Sequence, residues 1–402
     1  MQLTDAPRRE KPFVAVRKGP DAALITREVL EALDLSSLAG RRVLVKPNAG
    51  RQVASKQGIT TNPDVVGAVF DFVLGLAPAR IAVGDSPIVG VKSLEALEIS
   101  GIASEARRRD IETLDLDARR PVELKIPGAR LLESIKLVAE WEDFDYVISV
   151  PVMKMHMHTV VTLGLKNMKG VIWRKEKVRL HQLQGPPPTV KNDKELDIAI
   201  ADLLRIVRPQ LSVVDGTIGS EGLGPGAGTP KDFGVVVAGA DPLATDVVSS
   251  RLMGVDAADV PHLRLDAKNG FGTINLDEID VDPPEFRKWE DSFLPPPTDI
   301  SLEFPCVSIY DCESCSACLS TVSLFLKRYH DELEGLLPPG EKLGIALGKG
   351  NSEVPEGTIL VGNCTAKLKR LGIYVKGCPP VASDIWSKLH EGLEKSGKRN
   401  DD

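Results

Sequence analysis

The chain has 402 residues, of which 42% are apolar and 27% charged, and carries a net charge of -7. That length holds two or three domains with real cores, and the charge argues against a nucleic acid or an anionic membrane held by bulk attraction. No run of about twenty apolar residues exists, so no membrane insertion is expected. The opening MQLTDAPRREKPF lacks the apolar core of a signal peptide, which predicts a cytoplasmic protein with reduced thiols.

In chain order, apolar runs rich in Val, Ile and Leu predict strands in FVAVRK, RRVLVKPN, ARIAVGDS, DYVISVPV, LSVVDGTI and FGVVVAGA. Helical patterns lie between them, as in NPDVVGAVFDFVLGL and KELDIAIADLLRIV. Strands that are apolar throughout, alternating with helices, predict an α/β fold with mostly parallel sheets covered by helices. GPPPTVKND is a breaker-rich connection, and EGLGPGAGTPKD is a glycine-rich loop that either closes over a ligand or links two strands. Prolines cluster in DSFLPPPTDISLEFP, which places a boundary near residue 300: a large ligand-binding domain over 1–300 and a smaller α/β domain over 301–402. In the second, strands CVSIY, KLGIALG, GTILVGN and GIYVKG alternate with helices at about 313–335, 364–371 and 381–395. SGKRNDD reads as a frayed tail.

Polar groups collect where the first-domain strands finish, the usual ligand edge of an open parallel sheet. Lys46 and Asn48 end one strand, Asp85 follows the next, and Lys154, His156 and His158 follow a third; Asp215 lies on a fourth. LGLKNMKG adds Lys166, Asn167 and Lys169 after a glycine. This set suits a small anionic substrate, with Lys46, Asn48, Asp85, Lys154, Asn167 and Asp215 binding it, and Lys166, His156 and His158 catalytic. In extended chain His156 and His158 would point the same way. Asp241 and Asp246 stay ambiguous, with Asp241 read first as a helix N-cap. Neither a P-loop nor a dinucleotide fingerprint is present.

All six cysteines fall at or after Cys306. Cys312 and Cys315 come just after one predicted strand, Cys364 after another and Cys378 after a third, so one sheet edge receives four thiols. Four convergent thiolates suit a 4Fe–4S cluster, with zinc as the alternative. Cys318, one helical turn beyond Cys315, is expected to pack rather than ligate if the helix begins near Cys312, although it could replace one of the four. Cys306, at the start of its strand, reads as a core thiol.

VLVKPN, TTNPDVV, VGDSP, VPVMKMHMHTVVTLGLKNMKG and VVDGTIGSEGLGPG…ADPLATDVVSSRLMG occur in the order seen in the family called domain of unknown function 362, which the chain resembles over about residues 40–270. The resemblance implies an association with iron–sulfur chemistry, although the C-x2-C-x2-C-x3-C-P run of many members is absent here. The lysine–glycine segment is also similar to the cofactor-binding region of nickel-pincer lactate racemase. By that resemblance Lys166 would be the cofactor or substrate lysine and His156 or His158 the acid/base. The expected function is an iron–sulfur oxidoreductase or electron-transfer partner, implying a redox partner protein. A redox-neutral racemase or lyase and a non-enzymatic cluster or metal carrier are the alternatives, and the oligomeric state stays open.

Overall fold

A computed structural model describes residues 11–183, 193–297 and 300–397. Most of GPPPTVKND and the end of the SGKRNDD tail lie outside the described residues. The chain divides into two compact units. The first runs to Leu294, save His156–His158 and Gly222–Gly228; those two segments belong with the second unit, which continues from Pro295.

The strands of the first unit are β1 (Phe13–Lys18), β2 (Arg42–Pro47), β3 (Arg80–Gly84), β4 (Glu112–Leu114), β5 (Val122–Lys125), β6 (Ser134–Leu137), β7 (Tyr146–Val150), β8 (Val152–His156), β9 (Val160–Thr162), β10 (Leu211–Glu221), β11 (Thr229–Gly239) and β12 (Asp280–Asp282). The main sheet has the order β12-β1-β11-β10-β7-β2-β3-β4, with β8 paired to β10 and β9 to β8. The neighbours β10, β7, β2, β3 and β4 are parallel, and β11 runs antiparallel between β1 and β10. β5 and β6 form a separate hairpin.

Both faces of the sheet are buried because successive residues alternate in direction and are apolar either way. Val14, Val16, Leu44 and Ala82 join one core with Leu165, Met168, Val247 and Leu263. Ala15, Val43, Val45 and Val83 join the other with Val66, Phe70 and Ile102. Helix Pro63–Gly75 begins where Asn62 accepts the Asp64 N–H at 3.0 Å and Pro63 fills the first turn, which has no need of its missing N–H. The strands that the sequence did not signal, β4, β5, β6, β8, β9 and β12, are three to five residues long; β5 reads VELK and β12 DVD, too short or too polar to stand out. The glycine-rich EGLGPGAGTPKD connects the antiparallel strands β10 and β11.

The second unit is a four-stranded parallel sheet in the order β13 (Val307–Asp311), β14 (Leu343–Leu347), β15 (Thr358–Val361) and β16 (Gly372–Val375). Ile345, Leu347, Ile359 and Val361 face a core shared with Phe325 and Ile385 from helices Ser316–Leu336 and Ala382–Gly397. Ala346 and Leu360 face the opposite side with Val354 and Leu368. Among the described residues no helix is long and apolar enough to cross a membrane.

Candidate functional site

In the first unit the polar groups at the carboxyl ends of β2 and β3 form a buried ionic network. The Lys46 side chain is fully buried, with Nζ 2.8 Å from Asp85 Oδ1. It also donates to Asn167 Oδ1 and to the Pro47 carbonyl, each at 3.1 Å. Asp85 Oδ2 accepts the Ala49 N–H at 2.8 Å. The Asn167 amide donates to the Lys46 carbonyl at 3.1 Å and to Ser149 Oγ at 3.0 Å. Lys154, on β8, donates to Asn48 Oδ1 and the Ile59 carbonyl. Asp215, on β10, accepts the Asn62 N–H at 2.8 Å and the Thr217 hydroxyl at 2.6 Å, which ties the start of helix Pro63–Gly75 to the same edge. The structure thus joins Lys46, Asn48, Asp85, Lys154 and Asn167 directly by hydrogen bonds and ion pairing, with Asp215 in the field of Lys154.

Two glycines and one carboxylate set the path of the segment 163–170. Asp246, fully buried on helix Pro242–Leu252, accepts the N–H groups of Gly164 at 2.8 Å and Leu165 at 2.9 Å through separate oxygens. It therefore holds the short helix Gly164–Asn167 that presents Lys166 and Asn167. A Cβ on Gly164 would stand 2.5 Å from Ser212 Oγ. A Cβ on Gly170 would stand 2.2 Å from Asp85 Oδ1 and 2.4 Å from Lys46 Nζ, so only glycine lets the backbone lie on that ion pair. Asp241, by contrast, is the N-cap of helix Pro242–Leu252, accepting the N–H groups of Leu243 and Ala244.

Burial disfavours the charged forms of these cations. It lowers the pKa of Lys46 against the opposing pull of Asp85. It lowers Lys154 to about 7, with Arg51 adding repulsion, and Lys177 to about 8. Lys166 is pushed well down by burial and by the neighbouring Lys169 and Lys154, and its amine donates to Thr162 Oγ1 at 3.3 Å. Burial raises Asp215, and raises Asp246 to about 7. Cations outnumber carboxylates here, and several are poised to gain a proton when a negative charge arrives.

His156 and His158, expected beside these lysines, fall in the second unit. The chain turns after His156 instead of continuing extended, so the pair does not share one direction; the His158 N–H donates to His156 Nδ1 at 3.1 Å and the rings meet edge-on with centroids 6.5 Å apart. The sequence reading missed Arg51, Lys177, Asp197 and His262. Asp197 carried a signal: it falls on the stripe Asp197, Ile200, Ala201, Leu204, all buried, where an amphipathic helix would place an apolar residue.

In the second unit, Cys315, Cys364 and Cys378 follow β13, β15 and β16 at the carboxyl edge, and Cys306 precedes β13. The helix expected from about residue 313 starts at Ser316, which moves its first turn along the chain. Cys315 takes the N-cap position and Cys318 lies within the first turn. Cys318, buried, shares a hydrogen bond with Cys315; that bond, burial, and the nearby Cys378 and Cys364 all raise its pKa. Cys364 is raised by burial and by Cys315, against Lys349 and Lys367. The thiols in mutual electrostatic reach are therefore Cys315, Cys318, Cys364 and Cys378. Cys312 Sγ lies instead against Gly350, 2.5 Å from where a Cβ would stand there. Gly362, with φ +91°, makes room for Cys318, whose Sγ would meet a Cβ at 2.9 Å. Asn363 ties the two strand ends together: its N–H donates to the Gly377 carbonyl at 2.8 Å, and its side-chain oxygen accepts the Gly377 N–H at 3.1 Å. Among the described residues no three His, Cys, Asp or Glu side chains stand close enough to share one metal ion.

Among curated proteins, the Thylakoid-associated protein sll1697 of Synechocystis is 28% identical over 232 residues, 58% of this chain and 69% of its own length. Among solved structures, the lactate racemase apoprotein of Thermoanaerobacterium thermosaccharolyticum aligns with a TM-score of 0.40 at 10% identity, covering 64% of this chain and 60% of that one. A Thermotoga maritima protein aligns at 0.36 and 15% identity, covering 63% and 60%. The chain thus spans less than two thirds of either solved structure. The pattern of the family described as domain of unknown function (DUF362) matches residues 43–251, and the chain belongs to that family.

Proposed function

We propose that the protein is a cytoplasmic iron–sulfur protein, an oxidoreductase or its electron-transfer partner, acting on a small anionic substrate. The observation that carries this reading is the grouping of four thiols, Cys315, Cys318, Cys364 and Cys378, at the carboxyl edge of one parallel sheet. The donor set fits a 4Fe–4S cluster: all four are cysteines, one caps a helix whose N-terminal dipole favours a thiolate, and reduced thiols suit a reducing compartment. A bound cluster would supply one-electron chemistry. The substrate site is the cationic edge of the first unit, where Lys46, Asn48, Asp85, Lys154, Asn167 and Asp215 hold position and Lys154 and Lys166 meet the negative charge.

Anaerobic purification with metal and sulfide analysis tests the cluster. The expected result is a brown protein with about four irons and four sulfides per chain; stoichiometric zinc without sulfide overturns it. A thermal-shift screen of small anions tests the substrate site. Anions should raise the melting temperature of the wild type and much less that of Lys154→Met; a wild type indifferent to every anion overturns that half.

A further inference from the structure

The buried lysines of the first unit differ in the acceptors they meet. An ammonium has three N–H donors, whereas a neutral amine has two and a lone pair. Lys46 Nζ has three oxygens: Asp85 Oδ1 at 2.8 Å, and Asn167 Oδ1 and the Pro47 carbonyl each at 3.1 Å. Lys177 also has three, the Ser86 and Pro87 carbonyls at 2.7 Å and Ser86 Oγ. Both are equipped as ammonium ions. Lys154, only 4% exposed, has two acceptors among the described residues, Asn48 Oδ1 and the Ile59 carbonyl, each at 2.5 Å. Both are uncharged, and none of the described carboxylates pairs with this amine as Asp85 pairs with Lys46. A third proton on Lys154 would be a buried donor without an acceptor. The hydrogen bonds therefore fit the neutral amine, with its lone pair unused.

The lone pair also lies beside a surface loop. Ile59 belongs to the segment 49–60, whose neck is tied by the Thr61 N–H to the Asn48 carbonyl at 3.0 Å and by the Asn48 N–H to Thr61 Oγ1 at 2.8 Å. Within it Gln52, Ala54, Lys56 and Gln57 are exposed. One of the amine's two holding groups is thus the backbone of a solvent-facing loop and not the sheet interior. We propose that Lys154 is a nucleophile that forms an imine with a small oxo acid. Its lone pair bonds to the carbonyl carbon, both amine protons leave with the carbonyl oxygen as water, and a proton from solvent turns the imine into a cationic iminium beside the substrate carboxylate. Burial supports the assignment, lowering Lys154 to about 7, so that much of the amine is unprotonated near neutrality. The proposal rests on the anion-binding reading of the first unit and narrows its substrate class.

The test is reductive trapping on the full chain at pH 7, with glyoxylate and cyanoborohydride, followed by peptide mass mapping. Lys154 should be labelled at least about tenfold faster than exposed Lys56, because an ordinary lysine is almost wholly protonated at that pH. Acetaldehyde, which lacks the carboxylate, should label Lys154 about tenfold more slowly than glyoxylate does. Asn48→Asp places a carboxylate against the amine and should slow its labelling about tenfold. Labelling of Lys154 no faster than Lys56 overturns the proposal and leaves the anion reading, which the thermal-shift screen decides. Equal labelling of Lys154 by the two aldehydes overturns the oxo acid as its substrate. Unchanged labelling in Asn48→Asp overturns the role given to the uncharged partners. The wild-type comparisons need no variant to fold.

Discussion

The two sheets gather chemistry at the same place, the carboxyl ends of parallel strands, but equip it in opposite ways. In the first unit the edge is ionic and internally satisfied: Lys46, Asp85, Asn167 and Asn48 bond to one another or to backbone, and little of the pattern can move without stranding a buried charge. In the second the edge is thiol: Cys318 is raised by Cys315, Cys378 and Cys364 together with burial, and Cys364 by burial and Cys315. The first arrangement stands on its own. The second buries a thiol, Cys318, whose pKa its cysteine neighbours raise.

The sharpest way to break this comparison is through the thiols. Serine at Cys315, Cys318, Cys364 or Cys378 should remove most of the iron from anaerobically purified protein, whereas Cys312→Ser and Cys306→Ser should leave it near the wild-type level. Equal losses in Cys312→Ser and Cys318→Ser would return Cys312 to the ligand set and undo the grouping.

In the first unit Gly170→Ala should cost about 3–5 kcal/mol in chemical denaturation, because its methyl group would separate Lys46 from Asp85 and leave two buried charges apart. A smaller loss would mean that the pair can rearrange and that the edge is less rigid than described. Asp246→Ala should cost about 2–3 kcal/mol by stranding the N–H groups of Gly164 and Leu165. It should also weaken anion binding by displacing Lys166.

A pH series sharpens the picture. The folded pKa of Lys154, about 7, lies below its ordinary 10.5, so between these values the unfolded chain holds a proton that the folded one lacks. For this group, stability therefore rises with pH across that window. An anion favours the charged amine, so above pH 7 binding must take up a proton. Affinity should fall with rising pH, by at most about tenfold per unit from this lysine, among Lys46, Arg51, Asp85 and Asp215. A flat profile from pH 6 to 8 would remove Lys154 from the binding site. The smallest effect is a control: Gly75→Ala, at a helix end with nothing within 4 Å, should be neutral or stabilise by about 0.5 kcal/mol.

The long buried strands were legible because Val, Ile and Leu run through them without alternation, and parallel strands place their ligands at predictable ends. That is why the placing of Lys46, Asp85, Cys364 and Cys378 at strand ends could be read from sequence. The start of the helix was not legible: it begins at Ser316, a few residues later than its apolar pattern suggested, which puts Cys315 at the N-cap and Cys318 in the first turn. Glu313, with φ +56°, lies in the turn that delays it. Asp197 and His262 were not legible as a pair. Their helices are separated along the chain and meet only through packing, and neither carries a motif. The place of His156 and His158 was not legible, since no periodicity says which compact unit a three-residue turn will join.

The pairing of β1 has a consequence for how the protein is made. β1 leads the chain, yet its partners are β11, where Val14 pairs with Gly239, and β12. At common rates of synthesis the first strand waits on the order of ten seconds or more for its neighbour to emerge. Meanwhile FVAVRK is an apolar segment with both edges open, a template for mispairing with other nascent chains. The arginine and lysine that close this strand, Arg17 and Lys18, supply charge at its end. Because β1 contacts are so distant in sequence, refolding of the chain should be slower than that of a permuted chain in which β1 follows β11.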